Sequence, residues 1–220
     1  MSVTYDMVKH NAEINAYIRG ADASMSAMGY TEHSFAHVGK CADMASRLLL
    51  ELGYTEREAE LARIAAHMHD IGNLVNRNDH AHSGAVMAFT LLDKLGMAAD
   101  EIALVVSAIG HHDEHTAVPV NPIAAALILA DKSDVRRSRV RNRNDISFDI
   151  HDRVNYAVEH ADLVLDKPAG TITLNIGIDT GICAVMDYFE IFTTRMLLCR
   201  RAAEFFGLHF KLLINGAVII

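Results

Sequence analysis

The sequence predicts a mainly α protein: a helical bundle followed by a small C-terminal α+β appendage of order β-β-α-β. Three observations predict this. Apolar residues recur at helical spacing from about residue 31 to Ala130. Only three prolines (Pro119, Pro122, Pro168) interrupt the 220 residues, so long stretches are free to be helical. Beyond about Glu159 the apolar period shortens to strand-like alternation. The expected division is residues 1–159 for the helical domain and residues 160–220 for the appendage. At 51% hydrophobic and 22% charged residues, the composition is that of an ordinary globular protein.

Met1 to Gly29 has mixed periodicity and reads as one or two short helices. Thr31 can cap the next helix, which runs to about Leu52 and stops at Gly53. Thr55-Glu56-Arg57-Glu58 is a capping box. It opens a helix that runs straight into His69-Asp70 and stops at Gly72. Asn73 to Asp79 reads as a polar loop, and His80 to Leu95 is helical again. Ala99 to about Gly110 is an apolar helix ending at His111-His112-Asp113-Glu114. Pro122 sits in the first turn of a helix that is apolar to Ala130 and polar from Asp131. A helix is expected over about Asp149 to Glu159. A hairpin is expected from Ala161–Asp166 and Thr171–Ile178, joined by Lys167-Pro168-Ala169-Gly170. A long helix, about Ile182 to Phe206, precedes a strand at Phe210–Asn215. Met186, Tyr188, Phe189, Phe192, Met196 and Leu197 on that helix read as core, with a homodimer interface as the functional alternative. The apolar tail Gly216–Ile220 reads as a buried strand end.

The formal net charge of −8 argues against a nucleic-acid polymer as partner. One stretch runs the other way. Lys132, Arg136, Arg137, Arg139, Arg141 and Arg143 lie within twelve residues that hold only Asp134 as an acid. Such a run suits a small phosphorylated ligand, against the plainer reading of a solvated helix face. Cys41, Cys183 and Cys199 form no CxxC pair, which fits reduced thiols and a cytoplasmic location. Met1 to His10 has no apolar signal-peptide region, and no apolar run reaches transmembrane length, so no membrane partner is expected.

The chemistry concentrates at helix ends. His37, His69-Asp70, His111-His112 and Asp131 each lie at or near the boundary of a separate apolar helix. Singly, each has a bland reading: a satisfied core histidine, a common dipeptide, a helix cap. If the helices bundle, they can meet in one pocket. Imidazole and carboxylate without thiolate suit Fe, Mn, Zn or Co.

This order of residues, His…His-Asp…Asp, resembles the HD superfamily of metal-dependent phosphohydrolases, from His37 through Asp131 and over the helical part to about residue 150. The resemblance implies an HD-type helical bundle. It makes His37, His69, Asp70 and Asp131 ligands of one metal. The extra histidines resemble the two-metal HD-GYP-like branch, in which the Asp of the pair, here Asp70, bridges two ions. His80 or His82, with His111 and His112, would then hold the second ion. His80 fits the family's His-x-x-x-Gly spacing, and His33 is left as a residue behind the ligands or on the surface. The implied cofactors are two divalent metal ions, Fe or Mn first, with Zn, Co, Ni and Mg as alternatives. Asn73 stands where HD-GYP proteins have Lys, and no Gly-Tyr-Pro loop follows His112. Both departures argue against cyclic-di-GMP hydrolysis.

The implied activity is hydrolysis of a phosphomonoester or phosphodiester, with a nucleotide-like substrate, through a metal-bridging hydroxide. Asp70 and His69 are the expected catalytic pair. Lys132, Arg136, Arg139 and Asn73 are the expected substrate-binding residues. Arg136 and Arg139 share a face if the helix after Asp131 continues. Asp113, Glu114 and His115 are candidates for protonating the leaving group. The alternatives are a non-catalytic nucleotide- or metal-sensing module and a di-iron oxygenase of the same superfamily.

Overall fold

The structure is a computed structural model that describes residues 2–141 and 149–220. Among the described residues nine α-helices and one four-stranded sheet form two compact units, Met1–Asp131 and Lys132–Ile220. The chain is thus mostly helical with a small C-terminal sheet, as the sequence predicts.

The first unit begins with α1 (Tyr5–Lys9) and α2 (Ala12–Ala27). The Asn11 side chain caps α2 by accepting from the backbone N–H groups of Glu13 and Ile14. α3 (Phe35–Leu52) follows, with Gly53 in the left-handed conformation at its end. Its N-cap is Ser34, three residues later than the expected Thr31. α4 (Glu56–Met68) opens on the Thr55–Glu58 capping box with both reciprocal hydrogen bonds made. A 3-10 turn, Ile71–Leu74, occupies the start of the expected polar loop. α5 (His80–Lys94), α6 (Ala99–Gly110) and α7 (Pro122–Lys132) complete the series. α3 packs on α4, α5 on α6, and α4 on α6. Ile14, Met25, Leu49, Ile64, Met68, Leu92 and Ile109 are fully buried, each contributing about 1.5–3 kcal/mol of hydrophobic stabilisation. α7 is buried on every face from Ile123 to Ala130, as its unbroken apolar sequence requires.

In the second unit a 3-10 turn, Arg137–Arg139, comes first. It is followed by α8 (Ile150–Ala157), β1 (Val158–Asp166) and β2 (Thr171–Ile178), then α9 (Val185–Phe205), β3 (His209–Ile214) and β4 (Ala217–Val218). The sheet order is β1-β2-β3-β4. β1 and β2 form the expected antiparallel hairpin, while β2 and β3 pair in parallel across the α9 connection. Tyr188, Phe192 and Met196 of α9 are buried, whereas Met186 is 73% exposed, so the apolar stripe of that helix divides between core and surface. Two details differ from the sequence reading. β1 begins at Val158, which shortens the preceding helix to Ala157. The tail Gly216–Ile220 is an exposed edge rather than a buried strand end, because β4 pairs with β3 on one side only. The expected polar segment Asn142–Ser147 lies outside the described residues.

One close approach fixes the first unit near its histidines. A Cβ on Gly72 would fall 2.0 Å from the His80 carbonyl oxygen and 2.5 Å from the Gly84 backbone nitrogen. Both neighbours are backbone, so neither can yield cheaply. Gly72→Ala is expected to destabilise the protein by about 1–3 kcal/mol in urea unfolding. Gly39→Ala on α3, where an added Cβ meets nothing within 4 Å, should instead stabilise by about 0.5–1 kcal/mol.

Candidate metal centre

Six chemically active side chains converge in the first unit, and each comes from a helix end. His37 lies in the first turn of α3, and His69 and Asp70 follow α4 directly. His80 opens α5, His112 lies just past α6, and Asp131 is in the last turn of α7. All six are buried.

The arrangement is organised around the two oxygens of Asp70. Oδ2 lies 3.2 Å from His69 Nε2 and 3.7 Å from His37 Nε2. Oδ1 lies 3.5 Å from His80 Nε2 and 4.0 Å from His112 Nε2. Asp131 Oδ1 closes the first side, 3.3 Å from His37 Nε2 and 3.7 Å from His69 Nε2. Ligand atoms of His37, His69 and Asp70 lie within 4.8 Å of one another, and so do those of Asp70, His80 and His112. Asp70 therefore presents one oxygen to each of two donor groups.

The imidazoles are aimed by their far nitrogens. His69 Nδ1 donates to the Ala66 carbonyl at 2.7 Å, His112 Nδ1 to the Ile109 carbonyl at 2.6 Å, and His80 Nδ1 to the Arg77 carbonyl at 3.0 Å. A carbonyl can only accept, so each Nδ1 carries the proton and each Nε2 turns a lone pair inward. His69 Nε2 is buried and has no hydrogen-bond partner among the described residues. A buried lone pair of this kind, among further imidazoles and ionised carboxylates, fits a divalent metal.

Asn73 completes the support of Asp70. Its Nδ2 donates to Asp70 Oδ1 at 2.9 Å and to the Asp70 carbonyl at 3.0 Å. Burial alone would raise the Asp70 pKa, but His69 first, with His33 and His80, holds it well below the usual carboxylate range. Burial works against the cation at His69, yet the Asp70 and Asp131 carboxylates raise its pKa. His67 contrasts with these. Burial lowers it to about 4, aided by the charges of Lys9 and His69, and it sits edge-on to Tyr5 as a core group.

The structure brings together His37, His69, Asp70, His80, His112 and Asp131 of the candidate ligands. It does not bring in His82 or His111. Residues two apart on a helix point to nearly opposite sides, and the His82 side chain is 56% exposed, 3.3 Å from Asp79 Oδ1. Consecutive residues at a helix end diverge likewise, so His111 caps α6 while His112 faces inward. Asn73 is 1% exposed and its side chain holds Asp70. The helix after Asp131 does not continue: Arg136 is extended, at φ −161° and ψ 148°, so it shares no helix face with Arg139. Arg136 Nε donates to Asp134 Oδ1 at 3.0 Å, and Arg139 Nη1 to the Asp134 carbonyl at 2.9 Å. Lys132 is buried at 4% exposure.

Sequence reasoning passed over Cys41, whose Sγ is 3.6 Å from His37 Nδ1 and which groups with His37 and Asp131. Its position one turn after His37 was the available signal.

Metal titration followed calorimetrically should separate these roles. Asn73→Ala is expected to weaken metal binding by about 10- to 100-fold, through loss of support for Asp70. His82→Ala should leave affinity unchanged.

No curated protein matches the chain. An HD domain family model does, over residues 34–155, more than half the chain. That span holds every one of the six converging residues and extends slightly beyond the range over which the sequence shows the resemblance. With the His…His-Asp…Asp order realised as one buried cluster, the chain belongs to the HD domain family.

Proposed function

We propose that this protein is a metal-dependent phosphohydrolase acting on a small phosphomonoester or phosphodiester, nucleotide-like, with two divalent ions held on either side of Asp70. The observation that carries the reading is the division of the Asp70 carboxylate, with Oδ2 toward His37 and His69 and Oδ1 toward His80 and His112. A carboxylate so shared suits two cations a few ångströms apart better than one.

In this reading His37, His69, Asp70 and Asp131 would hold one ion, and Asp70, His80 and His112 would hold the other. When bound, such ions supply Lewis acidity: they acidify a water and neutralise charge on phosphoryl oxygens. The nitrogen and oxygen donors support Fe or Mn, with Zn, Co, Ni and Mg as alternatives. Asn73 keeps the Asp70 carboxylate oriented. Asp113, Glu114 and His115 all line the cavity at the start of α5, which supports one of the three as proton donor to the leaving group. Lys132, Arg136 and Arg139 remain candidate substrate cations on the strength of their sequence positions.

Cys41, Cys183 and Cys199 are buried and form no disulfide among the described residues, which supports a reducing, cytoplasmic setting. No helix among the described residues is long and apolar enough to cross a membrane.

Release of phosphate from a panel of nucleotides and phosphodiesters, with Mn²⁺ or Fe²⁺ supplied, tests the activity. Failure of every substrate with both sites filled would overturn it. Asp70→Ala should abolish release and also remove both ions, read by elemental analysis; a variant that keeps stoichiometric metal would refute the bridging role.

A further inference from the structure

Beside the candidate metal centre a cavity of about 410 Å³ opens at the start of α5, and Tyr30, Arg77, Asp79, His82, Asp113 and Glu114 contribute to its wall. Two of these residues also touch the centre. Asp113 Oδ1 is 4.0 Å from His80 Nδ1, and Arg77 Nη1 is 3.4 Å from His80 Nε2. We infer that Arg77 positions the substrate's phosphoryl group on the His80 side of the centre, and that the carboxylates around the cavity restrict the substrate to one carrying a single phosphate. This inference rests on the phosphohydrolase reading.

Arg77 is half-buried on the loop between the Ile71–Leu74 turn and α5. Its guanidinium is aimed inward by Asn73, whose Oδ1 accepts from Nη1 at 3.3 Å, and it stands 5.7 Å from the centre of the Tyr30 ring. Among the described residues no carboxylate lies within ion-pair distance of it. His80 donates its Nδ1 proton to the Arg77 carbonyl, so the lone pair on Nε2 is what the guanidinium now meets. With His80 Nε2 engaged by an ion, Nη1 would lose the imidazole acceptor and keep the Asn73 one. A phosphoryl oxygen on that side is the acceptor that matches a guanidinium in charge and geometry.

The rest of the wall sets the limit on charge. Asp79, Asp113 and Glu114 face the same cavity. A second or third phosphate placed there would meet like charge, which is costly at close range. Sugar hydroxyls would instead donate to those carboxylates, and the Tyr30 ring, 44% exposed, offers a flat face to a base. The substrate class that satisfies both constraints is a nucleoside monophosphate, with polyphosphates disfavoured.

The test uses manganese-loaded, full-length protein freed of excess metal. Metal content is measured first, then calorimetric binding of inorganic phosphate, AMP and ATP. Arg77→Gln should keep wild-type metal content and lose about 10- to 100-fold in affinity for phosphate, with Arg77→Lys between the two. Wild-type protein should prefer AMP to ATP, and the Asp79→Asn/Glu114→Gln variant should narrow that preference. Asn suits position 79 because Asp79 has a φ of 59°. A fully loaded Arg77→Gln that binds phosphate like wild type would overturn the positioning role alone, as would loss of metal in both Arg77 variants. A wild-type preference for ATP would overturn the single-phosphate restriction. Loaded wild type that binds no phosphate at all would overturn the phosphohydrolase reading and this inference with it.

Discussion

Everything in the first unit depends on keeping the Asp70 carboxylate ionised in a buried place. An isolated carboxylate moved out of water at 5% exposure would ordinarily be protonated instead. Here imidazoles stand on both of its oxygens and an amide holds it from behind. The result is a dense charge cluster that a core of alanine, isoleucine and leucine side chains surrounds but does not neutralise. Such a cluster is stable only where positive charge is supplied, by protonated imidazole or by a cation.

Helix ends are the means by which the fold supplies these groups. The last carbonyls of a helix have no partner within it. Two of them, Ala66 of α4 and Ile109 of α6, accept the Nδ1 protons of His69 and His112. One hydrogen bond thus satisfies an orphan carbonyl, fixes a tautomer and aims the opposite nitrogen at the centre. The negative end of each helix dipole adds to the preference for a cation there. α5 enters from the other direction, and its His80 is aimed by the Arg77 carbonyl in the preceding loop. Gly72 makes that approach feasible, since any side chain would collide with the backbone of α5. The glycine two residues after Asp70 therefore serves packing and chemistry together.

Much of this was legible in the sequence, for a physical reason. The apolar helical stretches that end at Met68, Gly110 and Ala130 switch abruptly to chemically active residues, and such a switch marks a helix entering a polar centre. His69, Asp70 and Asp131 stand at such switches, and the resemblance carried by the His…His-Asp…Asp order added His37 and made the four a ligand set. The choice of His80 over His82 stayed open although the helix start was read at His80, because the sequence does not say which side of that helix faces the other ligands, and two positions along a helix reverse the direction of a side chain. The same holds for His112 against His111. The role of Asn73 was hidden because it depends on a 3-10 turn where the composition suggested loop. The start of β1 at Val158 was blurred because tertiary pairing with β2 overrides the helical pattern just before it.

The basic run after Asp131 and the single Arg77 differ in how their guanidinium groups are already engaged. Arg136 and Arg139 both bind Asp134, and Arg137 donates to the Tyr156 carbonyl at 2.6 Å while its guanidinium stands 4.7 Å from the Tyr156 ring centre. Guanidinium groups engaged in this way help to hold their own unit together, so as substrate cations Arg136 and Arg139 would exchange contacts with Asp134 for contacts with a phosphate. Arg77 has no neighbouring cation in sequence and no composition signal. Its inward contacts are to a neutral amide and to an imidazole lone pair, both weaker acceptors than a carboxylate. A phosphate oxygen is a better acceptor than either, so the exchange favours the ligand. On the proposed reading, Arg77 is the cation whose present partners a phosphate outcompetes.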